Sequence, residues 1–263
     1  MNPLSPEQIP AVRQLQTICE RLKTQVVIIG AMAYRVWVRD THRQTYDVDA
    51  AVAIDLDELP ELTSRLLSEG WTQDGRREHR WGTPDGARID LIPSGPALRK
   101  KGYLEWPVSG MKMSLIGFDH VFANAILYEI APGLRVHVIP PHVLALLKIV
   151  AYLDNPHERE KDVQDLATLF SRYDPGDEIR FGQEILDAAL QYDAVPAYLI
   201  GKALGSVCSP DERAIVSQLL GQLSTEESRT YYLFSRALAS GSDELSHASA
   251  RGLSEAFALG FTR

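Results

Sequence analysis

Residues 45–52, Thr-Tyr-Asp-Val-Asp-Ala-Ala-Val, set two aspartates two positions apart inside an otherwise apolar run. Aspartate is depleted in strands, because its short polar side chain competes for backbone hydrogen bonds and resists burial. With residues 46–56 read as a strand, the i, i+2 spacing sends the carboxylates of Asp47 and Asp49 to the same face. Two like charges this close repel unless a cation neutralises them. The fold must therefore offer that face a cation, or leave it to solvent on an edge strand with Arg39 or Arg43 as counter-ions.

The flanking segments favour the first solution. Gln25-Val-Val-Ile-Ile-Gly30 reads as a buried strand ending in a tight turn, and residues 31–40 as a helix leaving it. A helix start offers backbone N–H groups to phosphate. Further upstream, Ser5 is the expected N-cap with Pro6 at the first helical position, ahead of Ile9, Val12, Leu15, Ile18, Cys19 and Leu22 at helical spacing. Downstream, residues 60–70 read as an amphipathic helix stopped by Gly70. Residues 78–81 and 87–92 read as a hairpin closed by the turn Thr83-Pro-Asp-Gly86. Asp90, between Ile89 and Leu91, is a third carboxylate among apolar neighbours. If its strand lies beside residues 46–52, three carboxylates converge in the geometry of a two-metal phosphoryl-transfer site. A hard divalent ion such as Mg²⁺ takes oxygen ligands and leaves room for substrate phosphates.

Residues 133–139 read as another strand, and after Pro140-Pro141 the texture changes. Residues 142–153 and 160–170 carry helical periodicity, and the remainder shows few strand signals. Strands first and helices later predict an α+β fold: a mixed sheet flanked by helices in the N-terminal half and a helical C-terminal half, with the boundary between residues 140 and 141. Lys148 sits in the strongly apolar segment 142–153, so its ammonium must snorkel to the rim or meet an anion. Apolar surroundings predict that Lys148→Met leaves the chain as stable as before.

Charge narrows the partners. Lys plus Arg total 27 against 35 for Asp plus Glu, a net −8, which excludes a uniformly basic nucleic-acid coat. Local basic clusters remain: the stripe Arg35, Arg39, Arg43; Arg76-Arg77 with Arg80; and Arg99-Lys100-Lys101. They are either the footing for an RNA or ordinary solvated surface. Cys19 and Cys208 are too few and too distant for a disulfide framework or a cysteine zinc site, and read as small hydrophobes of a reducing compartment. The histidines show no metal-binding spacing, and no dinucleotide-binding, Walker A or nucleophile-elbow motif occurs. Residues 1–10 lack a basic stretch followed by an apolar one, so a secretory signal is not expected, and the strongest apolar run, 26–34, is far short of a membrane span. A cytoplasmic protein without a membrane partner is expected.

Taken in order, these residues resemble the DNA polymerase β-like nucleotidyltransferases, and more narrowly the AbiEii-type toxins of abortive-infection and type IV toxin–antitoxin systems. Such proteins carry a small-residue turn after the first strand, Asp-hydrophobic-Asp on the next strand and a third Asp on a later strand. A Lys-bearing helix and a Lys-Asp-x-x-Asp-Leu helix follow. The matching positions are Gly30, Asp47 and Asp49, Asp90, Lys148, and Lys161-Asp162-Val163-Gln164-Asp165-Leu166, over roughly residues 20–170. One departure is Ala31 where the family has Gly or Ser: it supplies no hydroxyl and resists positive φ.

The resemblance implies a nucleotidyltransferase-like sheet as a catalytic domain, 1–140, with a helical domain, 141–263, adding nucleotide and acceptor contacts. It implies Asp47, Asp49 and Asp90 holding Mg²⁺ or Mn²⁺, and Gly30, Ala31, Lys148, Lys161 and Asp165 meeting the nucleotide. Asp165 would fix Lys161 or a catalytic Lys148 in position. The reaction implied moves an NMP from an NTP to an acceptor hydroxyl, on an RNA end such as tRNA or on a protein, with a cognate antitoxin as partner. The rival reading is a non-catalytic module of the same fold that binds RNA or a partner protein.

Overall fold

A computed structural model describes residues 4–38, 45–239 and 243–263. The chain divides into two units, Met1–Pro140 and Pro141–Arg263.

The first unit begins with helix α1 (Gln8–Arg21), whose Ala11, Val12, Leu15, Ile18 and Cys19 are all buried along one face. The helix starts later than Ser5 and Pro6 suggest, and the Ser5 hydroxyl does not cap it. Instead the Gln8 side chain reaches back to accept from the Ser5 N–H at 2.9 Å. Strand β1 (Val26–Ile28) feeds α2 (Gly30–Trp37). This helix ends short of the expected residue 40, where Val38 turns extended and the Trp37 indole donates to the Ile139 carbonyl at 2.7 Å. The rest of that expectation, with Arg39, His42 and Arg43, lies outside the described residues. The basic stripe through Arg35 is therefore described only at Arg35.

Strand β2 (Asp47–Val52) stops four residues before the expected end. The chain turns there because the Asp55 carboxylate accepts from the N–H groups of Ala97 and Leu98, at 3.1 and 2.8 Å, and so caps a later helix. Helix α3 (Leu59–Ser68), strands β3 (Thr72–Gln73), β4 (Arg80–Gly82) and β5 (Arg88–Pro93), and that capped helix α4 (Pro96–Lys101) follow. A separate hairpin of β6 (Tyr103–Glu105) and β7 (Lys112–Ser114) leads into α5 (Phe118–Ala123), β8 (Ile126–Ala131) and β9 (Leu134–Val138). The main sheet has the order β3-β4-β5-β2-β1-β9-β8. Strand β2 lies inside it, antiparallel to β1 and parallel to β5. The edge-strand reading of Asp47 and Asp49 therefore fails. Strands β6, β7 and β8 carry no clean alternation, and sequence periodicity passes over them.

The second unit is helical: α6 (Pro141–Asp154), α7 (Glu160–Arg172), the short α8 (Asp177–Arg180) and α9 (Gln183–Asp187), α10 (Val195–Val207), α11 (Pro210–Leu223), α12 (Arg229–Ala237) and α13 (Asp243–Thr262). Ser209 and Glu212 close a reciprocal capping box at the start of α11. Helices α10 and α13 touch backbone to backbone. A Cβ on Gly260 would lie 2.1 Å from the Tyr198 carbonyl oxygen, and one on Gly201 2.2 Å from that of Phe257, so only glycine permits the approach. Phe257 stacks on Phe170 of α7 at 4.5 Å. Among the described residues, no helix is long and apolar enough to cross a membrane. Both cysteines are free, and burial pushes each thiol up to about 12.

Candidate active site

The β1–α2 turn rests on one glycine. Gly30 adopts φ +60°, and a Cβ there would meet Asp49 Oδ2 at 2.1 Å. The left-handed conformation falls on Gly30 and not on Ala31, so the alanine departure costs the turn nothing conformationally. The turn clasps β2: the Ile29 N–H donates to the Asp49 carbonyl at 2.9 Å, and the Ala31 N–H points at Asp49 Oδ2 at 3.4 Å. The first-turn N–H that sequence reasoning offers to phosphate here faces the protein's own carboxylate.

Register brings the acids together. In the parallel β2–β5 pair Asp49 stands directly beside Asp90, and Asp47 shares its face two residues away. The intervening Val48 and Ala50 are fully buried, which fixes which face the aspartates take. On the other side of β5, Arg80 of β4 is the antiparallel partner of Asp90. Its guanidinium forks onto that carboxylate, Nε to Oδ1 at 2.8 Å and Nη2 to Oδ2 at 2.7 Å. The same Nη2 also donates to Asp47 Oδ2 at 2.7 Å, while the Thr45 hydroxyl donates to Asp47 Oδ1 at 3.2 Å. The Arg80 side chain is 17% exposed and that of Asp90 9%, whereas Asp47 keeps 34%. Hydrogen bonding to Asp90 raises the Arg80 pKa further above its already high value. His79, 3.8 Å from Asp90, is pushed down by burial, against the opposing pull of that carboxylate.

Sequence reasoning saw Arg80 only as part of a basic cluster with Arg76 and Arg77. Those two are exposed, while Arg80 turns inward to the acids. The signal was present: the Thr83–Gly86 turn sets Arg80 opposite Asp90.

Two of the three aspartates suit a hard divalent cation. Asp47 and Asp49 offer oxygen donors on one face, and one or two carboxylates plus substrate phosphates are what Mg²⁺ ordinarily takes. Asp90 is less available than Asp47 as placed, since Arg80 forks onto both of its oxygens and takes only one of Asp47. Among the described residues, no three His, Cys, Asp or Glu side chains are grouped to hold a metal ion.

The helical unit holds a second charged cluster. Lys148 of α6 is buried, and its Nζ donates to Asp165 Oδ2 at 2.6 Å and to Asp162 Oδ1 at 2.9 Å, both on α7. The anion that apolar segment demands is therefore the chain's own pair of carboxylates. Asp165 pairs with Lys148, whereas Lys161 is exposed at the start of α7. Asp162, which reads from sequence as a helix-dipole complement, is the second partner. Of the remaining basic cluster, Arg99 is tied to Asp119 at 2.7 Å and Lys101 lies over the Tyr103 ring at 4.1 Å.

Residues 13–231 match the family described as nucleotidyl transferase AbiEii toxin of type IV toxin–antitoxin systems. No curated protein sequence matches. Solved structures with a similar course include an antigenic nucleotidyltransferase-like protein from Paracoccidioides brasiliensis, at 20% identity and TM-score 0.45 over 71% of this chain and 87% of that one. A Helicobacter pylori protein gives 13% identity and TM-score 0.40 over 98% and 94%. The lincomycin-bound lincosamide antibiotic adenylyltransferase LnuA gives 12% and 0.39 over 63% and 98%.

Proposed function

The chain belongs to the AbiEii nucleotidyl transferase toxin family, and from that premise we propose that it moves an NMP from an NTP to an acceptor hydroxyl at the Asp47–Asp49 face. The observation that carries the reading is the pairing of two aspartates on an interior strand with a third in register beside them. Such a concentration of like charge inside a sheet serves no packing purpose.

In this reading Asp47 and Asp49 hold a divalent cation, Mg²⁺ or Mn²⁺, which when bound supplies charge neutralisation to the triphosphate. Asp49 is oriented by the Gly30 turn through the Ala31 N–H. Asp47 is oriented by Thr45 and Arg80. Asp90 keeps Arg80 aimed at this face, and so contributes position rather than a ligand. The acceptor hydroxyl attacks the α-phosphorus in line, its O–P bond forms as the bond to pyrophosphate breaks, and the proton leaves to solvent. The chain's contribution is positioning and charge complementarity. In the helical unit, Lys148 takes the role of a phosphate contact, held ready by Asp162 and Asp165. An RNA end such as tRNA, or a protein hydroxyl, is the acceptor class, and a cognate antitoxin is the partner the family implies. The site of action in this reading is the cytoplasm.

The test supplies Mg²⁺, each α-labelled NTP in turn, and total RNA or protein extract. Label should pass to a discrete acceptor, and a γ-labelled NTP should leave that acceptor blank because the γ-phosphate departs in pyrophosphate. Transfer from the γ position would indicate a kinase. If no nucleotide labels anything while RNA or a protein is still retained, the chain is a binding module instead.

A further inference from the structure

Arg80 does more than its neighbours require. A surface arginine snorkels, yet this one lies mostly buried and bridges carboxylates from two other strands. Its two ends are unequal. Toward Asp90 it makes a planar two-bond fork, with the pair locked opposite each other by the β4–β5 register. Toward Asp47 it makes one bond, and Asp47 is the more exposed of its two carboxylate partners. Asp47 also keeps one oxygen outside the Arg80 contact, whereas both oxygens of Asp90 lie in the fork. One carboxylate oxygen thus faces two claimants of the same charge.

We propose that Arg80 is the resident counter-cation of this cluster: it keeps Asp47 and Asp90 neutralised when no ion is bound, and gives up Asp47 while keeping Asp90 when one is. The inference rests on the reading of Asp47 and Asp49 as ion-binding carboxylates. Its consequence is linkage. The arginine stabilises the ion-free chain and weakens its affinity for the ion, because two cations compete for one oxygen. An arginine that served packing alone would affect stability and leave ion affinity untouched.

The experiment titrates Mn²⁺ into the full chain, following the free-ion EPR signal, and records ion-free and Mn²⁺-saturated melting temperatures. Arg80→Gln should tighten Mn²⁺ by about tenfold or more and lower the ion-free Tm by several degrees. Saturating Mn²⁺ should then raise its Tm by more than it raises that of the wild type. Arg80→Lys retains the charge without the fork and should stay within about threefold of the wild type in affinity. Arg77→Gln removes the same charge from an exposed neighbour and should change affinity by less than about twofold. A lowered Tm in Arg80→Gln with Mn²⁺ affinity no tighter than in Arg77→Gln overturns the proposal, and so does a wild type and an Arg80→Gln chain that both fail to bind Mn²⁺. Should Arg80→Gln be unfolded without ion, refolding by Mn²⁺ supports the proposal and failure to refold overturns it. The α-label transfer assay separates this from the transferase reading. Transfer by the wild type with unchanged ion affinity in Arg80→Gln sinks only the role of Arg80. Tightened Mn²⁺ with no transfer sinks only the enzyme.

Discussion

Each unit carries one basic side chain between two aspartates, and the two arrangements differ in what they leave open. In the sheet, Arg80 joins carboxylates from two strands, and one of them, Asp47, remains a third exposed. In the helices, Lys148 joins two carboxylates spaced i, i+3 on α7, and every member is at most 14% exposed. Guanidinium and ammonium suit these settings: a planar fork can hold one carboxylate while releasing another, and a compact point charge can be enclosed from several sides. Removing a member of the closed cluster leaves charge behind in a largely buried setting. In the open one a partner can be exchanged.

That contrast predicts where activity and stability separate. The largest effect belongs to Asp49→Asn, which keeps shape and removes one charge at the face proposed to hold the ion. Transfer should fall by about a thousandfold, while the ion-free Tm stays level or rises as repulsion with Asp90 is relieved. A label-transfer assay beside a thermal melt measures both, and near-normal transfer would move the chemistry away from β2. Lys148→Met should show the opposite pattern. It takes the ammonium away from buried Asp165 and half-buried Asp162 and should cost about 3 kcal/mol in urea unfolding, correcting the expectation that methionine would simply fill an apolar helix. An unchanged midpoint would break the comparison, since the helical cluster would then not be closed. Weaker NTP binding by the folded fraction would bear out its phosphate role.

A smaller effect is expected from Gly30→Ala. The methyl meets the Asp49 carboxylate at a left-handed backbone position, for about 1–3 kcal/mol of strain. Transfer should drop with it if the turn orients Asp49, and loss of stability without loss of transfer would confine the turn to architecture. The smallest effect concerns pH. Burial holds His79 below its ordinary 6.5, so the folded chain keeps it neutral while the unfolded chain takes up a proton. Stability from His79 is thus complete above pH 6.5 and is lost as pH falls toward the lower folded-state value. His79→Gln should flatten the acid side of a Tm–pH curve by about 1–2 °C, and an identical slope in both proteins would show that His79 is protonated with little penalty.

What could be read from the sequence follows from how local each signal is. The Gly30 turn, the aspartate spacing of β2 and the Thr83–Gly86 hairpin are written in adjacent residues, and the structure has all three. The parallel pairing of β2 with β5 entered as a condition, because nothing local dictates which strands become neighbours across a crossover. The inward course of Arg80 is hidden for the same reason. A charge is assigned to the surface by default, and only the register of the hairpin with β2 turns it inward. Lys148 was legible as a demand for an anion, but the supplier, the i, i+3 face of α7, depends on how two helices pack. The strand end at Val52 is not legible locally because Asp55 leaves the sheet to cap α4, a contact more than forty positions away in the chain.

The β2–β5 pairing also sets when the site can exist during folding. Asp49 and Asp90 belong to strands joined through α3 and a hairpin, so their pairing is long-range and parallel, the kind of contact whose loop-closure entropy delays it. Before β5 closes, Arg80 has a carboxylate within its own hairpin but none across on β2. A nascent or partly unfolded chain therefore holds the acids of the site as separate charges on separate segments. Assembly of the cluster waits on the pairing of β2 with β5, and a chain trapped short of that step lacks the cluster altogether.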